Sequence, residues 1–88
     1  MNLFNYFGEL KQKFQLPDNI FNSYNVINIG GRLAYIEGHK GLLKLADDII
    51  SLKLKTGYIE IKGNGLYLKN LTEDTVVIQG KIYKIEVF

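Results

Sequence analysis

The chain has 88 residues, of which 47% are hydrophobic and 23% charged, with a formal net charge of +2. This length and composition predict a single globular domain with a thin core and exclude a wholly disordered chain. The absence of cysteine excludes disulfides, thiolate metal sites and a cysteine nucleophile, and no apolar run reaches the roughly 18 residues of a membrane-spanning helix. The N-terminus lacks the pattern of a signal peptide, so we expect a soluble, intracellular protein.

The first predicted element is an amphipathic helix over residues 2–15. Pro17 ends it, because the residue before a proline is pushed toward extended geometry. Residues 1–24 are therefore expected to form a helix and connector, and residues 25–88 a β domain, within one globular unit. The apolar residues of the helix fall three and four positions apart, on one stripe that either covers the open face of a sheet or docks a partner. This N-terminal stripe consists of Leu3, Phe4, Phe7, Leu10 and Phe14.

From Asn25 onward the chain alternates apolar and polar residues, which predicts consecutive short strands with one buried and one solvated face. The first strand ends at Gly30-Gly31, the second runs from Arg32 to Glu37, and the third contains Leu42 to Leu45. We expect a mainly β protein, a small antiparallel meander curled into a barrel-like or two-layer sandwich arrangement, with one N-terminal amphipathic helix packed on it.

The best-specified hairpin has its loop at Thr56-Gly57. This loop predicts a register in which Leu52 lies opposite Ile61, so that apolar residues meet on one face. The next turns are predicted at Gly63-Asn64-Gly65 and at Thr72–Asp74.

The last strand changes its apolar parity. Val76, Ile78 and Ile82 share one face, whereas Ile85 and Val87 lie on the other in a regular strand. A bulge between Gly80 and Lys84 would reconcile the two faces, as would a strand that bends between two sheets.

Few side chains predict chemistry. His39, the only histidine, lies within the Gly38–Gly41 turn and is interpreted as a turn residue, with no second histidine for a zinc site. Asp47 and Asp48 are adjacent, so their side chains point to opposite faces of a strand rather than to one cation. We expect no enzymatic activity, no cofactor and no metal.

A nucleic-acid-binding face is an alternative, because small β barrels bind single strands through basic and aromatic surfaces. Only one arginine is present, and Glu60 falls among the lysines, so the composition argues against this alternative. The face would contain Lys53, Lys55, Lys62, Lys69, Tyr58 and Tyr67.

Several motifs, in this order and spacing, resemble the YabP/YqfC family of sporulation proteins, and its YqfC branch in particular. The segments that carry the resemblance are Ile29-Gly30, Ile36–Gly41, Leu54–Gly63, Leu66–Lys69 and Ile78–Phe88. Ile36–Gly41 is similar to the family's IENHKG-type turn, with Gly38 where the family often has Asn. Both residues tolerate a positive φ, so the turn is retained.

The resemblance implies a sporulation protein of an endospore-forming bacterium, made in the cytoplasm of the mother cell. It also implies a neighbouring membrane protein of the YqfD type as partner, which would hold this protein peripherally at a membrane. The family carries no established catalytic residues. We therefore expect a binding or scaffold module whose contacts are the N-terminal stripe, His39 and Lys40. A further alternative is a homo-oligomer assembled through an unpaired edge strand at Ile82–Phe88.

Overall fold

The computed structural model describes residues 24–88, which form six strands and no helix. The predicted N-terminal helix therefore lies outside the described residues. The strands are β1 (Asn25–Ile29), β2 (Leu33–Glu37), β3 (Gly41–Leu45), β4 (Ile49–Lys53), β5 (Tyr58–Leu71) and β6 (Thr75–Val87).

All six strands form one antiparallel sheet in the order β1-β2-β6-β5-β4-β3. Strands β3 to β6 follow one another as a meander, whereas β2 and β3 are consecutive in the chain but separated by three strands. In a flat sheet these two strands would lie about 19 Å apart, while the chain from Glu37 to Gly41 spans at most about 14 Å. The sheet therefore folds back on itself, which confirms the curled, mainly β arrangement predicted from the sequence.

The sheet folds back within the long β5–β6 hairpin. Residues 58–62 of β5 pair with β4, whereas residues 75–79 of β6 pair with β2, so each end of the hairpin belongs to a different part of the sheet. The ladder between them is interrupted by three register shifts, between Lys62 and Gly63, Asn64 and Tyr67, and Leu68 and Asn70. Such bulges bend strands and increase their twist. The first layer thus contains β1, β2 and the hairpin tip, and the second contains β3, β4 and the hairpin base.

Two glycines permit the two hairpin strands to approach closely at the bend. A Cβ atom on Gly63 would collide with the carbonyl oxygen of Lys81. A Cβ atom on Gly80, whose φ is +138°, would lie 2.6 Å from the carbonyl oxygen of Gly65. Neither position accommodates a side chain without movement of the backbone.

One apolar core lies between the layers. Its members come from both layers and from the bend. Burial of one large apolar side chain stabilises the fold by about 1.5–3 kcal/mol. The core consists of Ala34, Ile36, Ile50, Leu52, Leu54, Ile59, Ile61, Leu66, Val76, Ile78 and Ile82. A second, smaller cluster contains the row formed by Ile27, Tyr35 and Val77, which are cross-strand neighbours on β1, β2 and β6.

The bulge predicted in the last strand is confirmed. Lys62 pairs with Lys84 and Gly63 pairs with Ile82, so Tyr83 is the extra residue on β6. Because Tyr83 is skipped, Ile85 packs against the same core as Ile82.

Two sequence-based details are wrong. Leu52 lies opposite Ile59 rather than Ile61, a shift of two residues, because Leu54 leaves the ladder and is buried in the core at 1% exposure. Gly63-Asn64-Gly65 is not a turn but the bend within the continuous strand β5. The turn at Thr72–Asp74 is confirmed as the tip of the hairpin.

Candidate binding surfaces

His39 is buried in the crossover between β2 and β3, with 3% of its surface exposed. Its Nε2 atom lies 3.1 Å from the carbonyl oxygen of Thr72 and 3.2 Å from that of Thr75. The Gly41 N–H donates to Nδ1 at 3.1 Å. Because Nδ1 accepts this bond, the hydrogen-bond pattern assigns the ring proton to Nε2, where the two carbonyls share it. The ring therefore joins the crossover to the tip of the hairpin.

Backbone hydrogen bonds attach the same crossover to both layers. The Gly38 N–H donates to the carbonyl oxygen of Asp74 at 2.7 Å, and the Lys40 N–H donates to that of Lys53 at 2.7 Å. Of the two contact residues predicted in this turn, Lys40 is exposed and His39 is enclosed. Lys40 can thus reach a partner, whereas the His39 ring maintains the crossover.

A pocket of about 440 Å³ lies beside the crossover and is lined by His39, Lys40, Glu73 and Asp74. One amine and two carboxylates at its rim suit a polar group of a partner better than an apolar ligand. Within residues 24–88, no group of three or more histidine, cysteine or acidic side chains could hold a metal ion.

The base of the hairpin presents an aromatic edge, formed by Tyr58 and Phe88 at the end of the hairpin and by Tyr83 further along β6. Tyr58 and Phe88 exchange backbone hydrogen bonds of 3.1 and 2.8 Å, and their rings stack with centroids 4.9 Å apart. Tyr83, the bulge residue, is 63% exposed, and Phe88 is 51% exposed. The stack fixes two of these rings in place before any partner arrives, which lowers the entropic cost of binding.

The structure separates the residues of the predicted nucleic-acid face. Lys53 and Tyr58 are cross-strand neighbours in the second layer, with Lys62 further along β5. Tyr67 lies in the first layer, where its hydroxyl donates to Gln79 at 2.7 Å, and Lys69 is an extra residue of the nearby bulge. Lys55 lies in the loop between β4 and β5.

Acidic residues offset the lysines of the second layer. The Lys62 Nζ atom lies 3.9 Å from a carboxylate oxygen of Glu60, and the Lys84 Nζ atom lies 2.9 Å from one of Glu86. These pairs reduce the positive potential that a phosphate backbone would meet.

Strand β3 carries a leucine edge, formed by Leu42, Leu43 and Leu45. These residues are 37%, 56% and 54% exposed. They were predicted to lie in a strand, but their exposure was not predicted. The signal was present in the adjacent pair Leu42-Leu43, because neighbouring residues of a strand point to opposite faces and a buried strand face needs only one of them.

Residues 22–87, which include all six strands, match the model of the YabP family. The chain belongs to the YabP family. Over 74 residues it is also 30% identical to the uncharacterized protein YqfC of Bacillus subtilis (strain 168), an alignment that covers 83% of this chain and 80% of that protein. The resemblance drawn from the sequence motifs is thereby confirmed.

No solved structure matches the chain. In the part of this YabP family member that the structure describes, no helix is long and apolar enough to cross a membrane. The N-terminal stripe lies outside the described residues, so its predicted role in partner binding stays a prediction.

Proposed function

We propose that this protein is a non-enzymatic sporulation factor that acts in the mother cell as a binding and scaffold module, with a membrane protein of the YqfD type as its partner. The sporulation role comes from the resemblance to the YabP/YqfC sporulation proteins, and the chain's membership of the YabP family agrees with that resemblance. The partner class comes from the resemblance to the YqfC branch, and docking on such a partner would hold the protein at the cytoplasmic side of a membrane.

The aromatic edge is the observation that carries the binding role. Tyrosine and phenylalanine are enriched at the centres of protein interfaces, where they supply a large contact area at a small cost in side-chain entropy. Tyr83 projects from a bulge at 63% exposure, and Lys81 lies with its Nζ atom 5.6 Å from the centre of the Tyr83 ring. Tyr83 lies on β6, five residues before Phe88, and an exposed aromatic group at this position is a suitable anchor for a protein partner.

The environment of His39 supports a non-enzymatic role. It is the one histidine of the chain, and each of its ring nitrogens is engaged with backbone groups. A general base needs a nitrogen that can take a proton from a substrate, and this ring offers none without breaking the crossover.

The experiment is an affinity purification of the tagged, full-length protein from detergent-solubilised membranes of sporulating cells. The test variant is Tyr83→Ser, and the matched control is Tyr67→Ser, because Tyr67 is 50% exposed but lies in the first layer. Loss of an interface anchor costs about 2 kcal/mol, or about thirty-fold in Kd, so we expect recovery of the membrane protein to fall sharply for Tyr83→Ser only.

A variant lacking residues 1–16 separates the aromatic edge from the N-terminal stripe. Equal recovery with Tyr83→Ser and Tyr67→Ser, together with loss in the shortened variant, would assign the contact to the stripe. Recovery of no membrane protein by a tagged form that supports sporulation would contradict the proposed partner class.

A further inference from the structure

Strand β3 ends the sheet, and in the described part of the chain only β4 pairs with it. Unpaired edges of this kind are sites of strand addition, and soluble proteins commonly protect them with charges or bulges. The leucine edge has one lysine, Lys44, among three exposed leucines. This composition favours burial of the edge against another strand.

The bulge in β3 places two of these leucines on the same face. Leu42 lies opposite Leu52, and Leu45 lies opposite Ile50, with the register shift between Leu42 and Lys44. Leu52 and Ile50 are both fully buried core residues. Leu42 and Leu45 are therefore at the rim of the core, where a neighbouring strand could extend it.

We propose that β3 pairs in an antiparallel manner with β3 of a second copy of this chain, about a two-fold axis. In the register that we propose, Leu42 lies opposite Leu45 of the second copy, and Lys40 lies opposite Asp47 of the second copy. The two-fold axis repeats both pairs, so the strand complements itself in shape and in charge. Such self-association does not depend on the proposed membrane partner.

A shift of one residue in either direction breaks the pairs Leu42–Leu45 and Lys40–Asp47. One shift places Lys44 directly opposite Lys44 of the second copy, and like charges in that position are unfavourable. The other places Leu42 opposite Lys44. In the proposed register no like charges meet, and Leu43 lies opposite Lys44 of the second copy, whose aliphatic stem can cover the leucine.

The free edge of β6, which the sequence analysis favoured for self-association, is less suitable. Its Lys84 and Glu86 already form an ion pair at 2.9 Å, so these two charges are less available to a second copy. In the described part of the chain, Lys40 and Asp47 form no ion pair with each other or with another residue. The two charges that flank β3 therefore remain available to a second copy.

The test uses engineered cysteines, because the chain has none of its own. Leu42→Cys and Leu45→Cys variants, carrying tags of different mass, are mixed and mildly oxidised. Opposite residues of an antiparallel pair have Cα atoms about 4.5–5.5 Å apart, which suits a disulfide. Two copies of the same variant would place their cysteines about 10 Å apart along the strand, beyond the limit of about 7 Å.

We expect the mixed disulfide to form in large excess over either homodimeric disulfide. A matched pair on the other edge, Tyr83→Cys with Val87→Cys, is expected to give no such excess. Equal yields of all disulfides, or preferential cross-linking at the β6 edge, would overturn the proposed interface.

Charge exchange gives a second measurement without a cysteine. Lys40→Asp and Asp47→Lys alone should each raise the dimer Kd by about fivefold, and the double variant should restore it. Sedimentation equilibrium of the full chain measures these constants, with circular dichroism to establish that each variant is folded. A folded wild-type protein that stays monomeric at millimolar concentration would refute the proposal.

Discussion

We predict that His39→Ala lowers the free energy of unfolding by about 3–4 kcal/mol. The ring loses its bond to the shared carbonyls of Thr72 and Thr75 and its bond from Gly41, each of which contributes about 1 kcal/mol. The partly buried Gly41 N–H is then left without an acceptor, which adds about 1–2 kcal/mol. The free energy of unfolding of a domain of this length is about 5–10 kcal/mol, so the melting temperature of the variant should be about 15–25 °C lower.

Urea denaturation followed by far-ultraviolet circular dichroism measures this change, provided that the slope m is the same for both proteins. His39→Asn is the intermediate case. Its side-chain oxygen can accept from the Gly41 N–H two residues on but is too short to reach the hairpin tip, so we expect a loss of about 1–2 kcal/mol. Lys40 is an exposed neighbour of His39, and Lys40→Ala should change the free energy of unfolding by less than about 0.5 kcal/mol.

Equal free energies of unfolding for His39→Ala and Lys40→Ala would contradict this prediction. That result would mean that the two layers stay closed without the ring, and that the backbone bonds of Gly38 and Lys40 are sufficient. If His39→Ala does not fold at all, His39→Asn still tests the prediction. Its free energy of unfolding should be lower than that of the wild type and of Lys40→Ala, and higher than that of His39→Ala.

Two further predictions concern the bend and the lysines. Gly63→Ala should lower the free energy of unfolding by at least about 3 kcal/mol, because its Cβ would collide with a backbone carbonyl. Asn64→Ala next to it should lower it by less than about 1 kcal/mol. Thermal unfolding of the two variants measures the difference. The second prediction is that the full-length protein does not retard single-stranded DNA or RNA at low salt, because Glu60 and Glu86 offset neighbouring lysines. Binding that weakens steeply as salt rises would contradict it.

Alternation and turn residues predicted the strands well, because both are local properties. They did not determine the β4–β5 register, since a shift of two residues keeps Leu52 facing an isoleucine and leaves the buried face unchanged. Gly63-Asn64-Gly65 has the composition of a turn, but glycine also serves where two backbones approach closely. Only the position of Lys81 across the hairpin distinguishes these uses.

The candidate surfaces were less predictable, because exposure depends on strands that are distant in the chain. His39 was interpreted as a turn residue, since nothing near it in sequence indicates that Thr72 and Thr75 supply carbonyl acceptors. Leu42 and Leu45 were expected to belong to a strand, but whether a strand lies at an edge follows from the order of the whole sheet. The bulge at Tyr83 was predictable because parity along a strand is itself local.

The β5–β6 hairpin belongs to both layers, and this has a consequence for how the domain unfolds. Because β5 and β6 each run through both layers, neither layer retains its complete set of strands when the other separates. The hairpin tip closes over a loop of a few residues, so its pairing is local, whereas the β2–β3 crossover requires the bend to be formed already. We therefore expect the two layers to unfold together in a single cooperative transition, rather than one after the other.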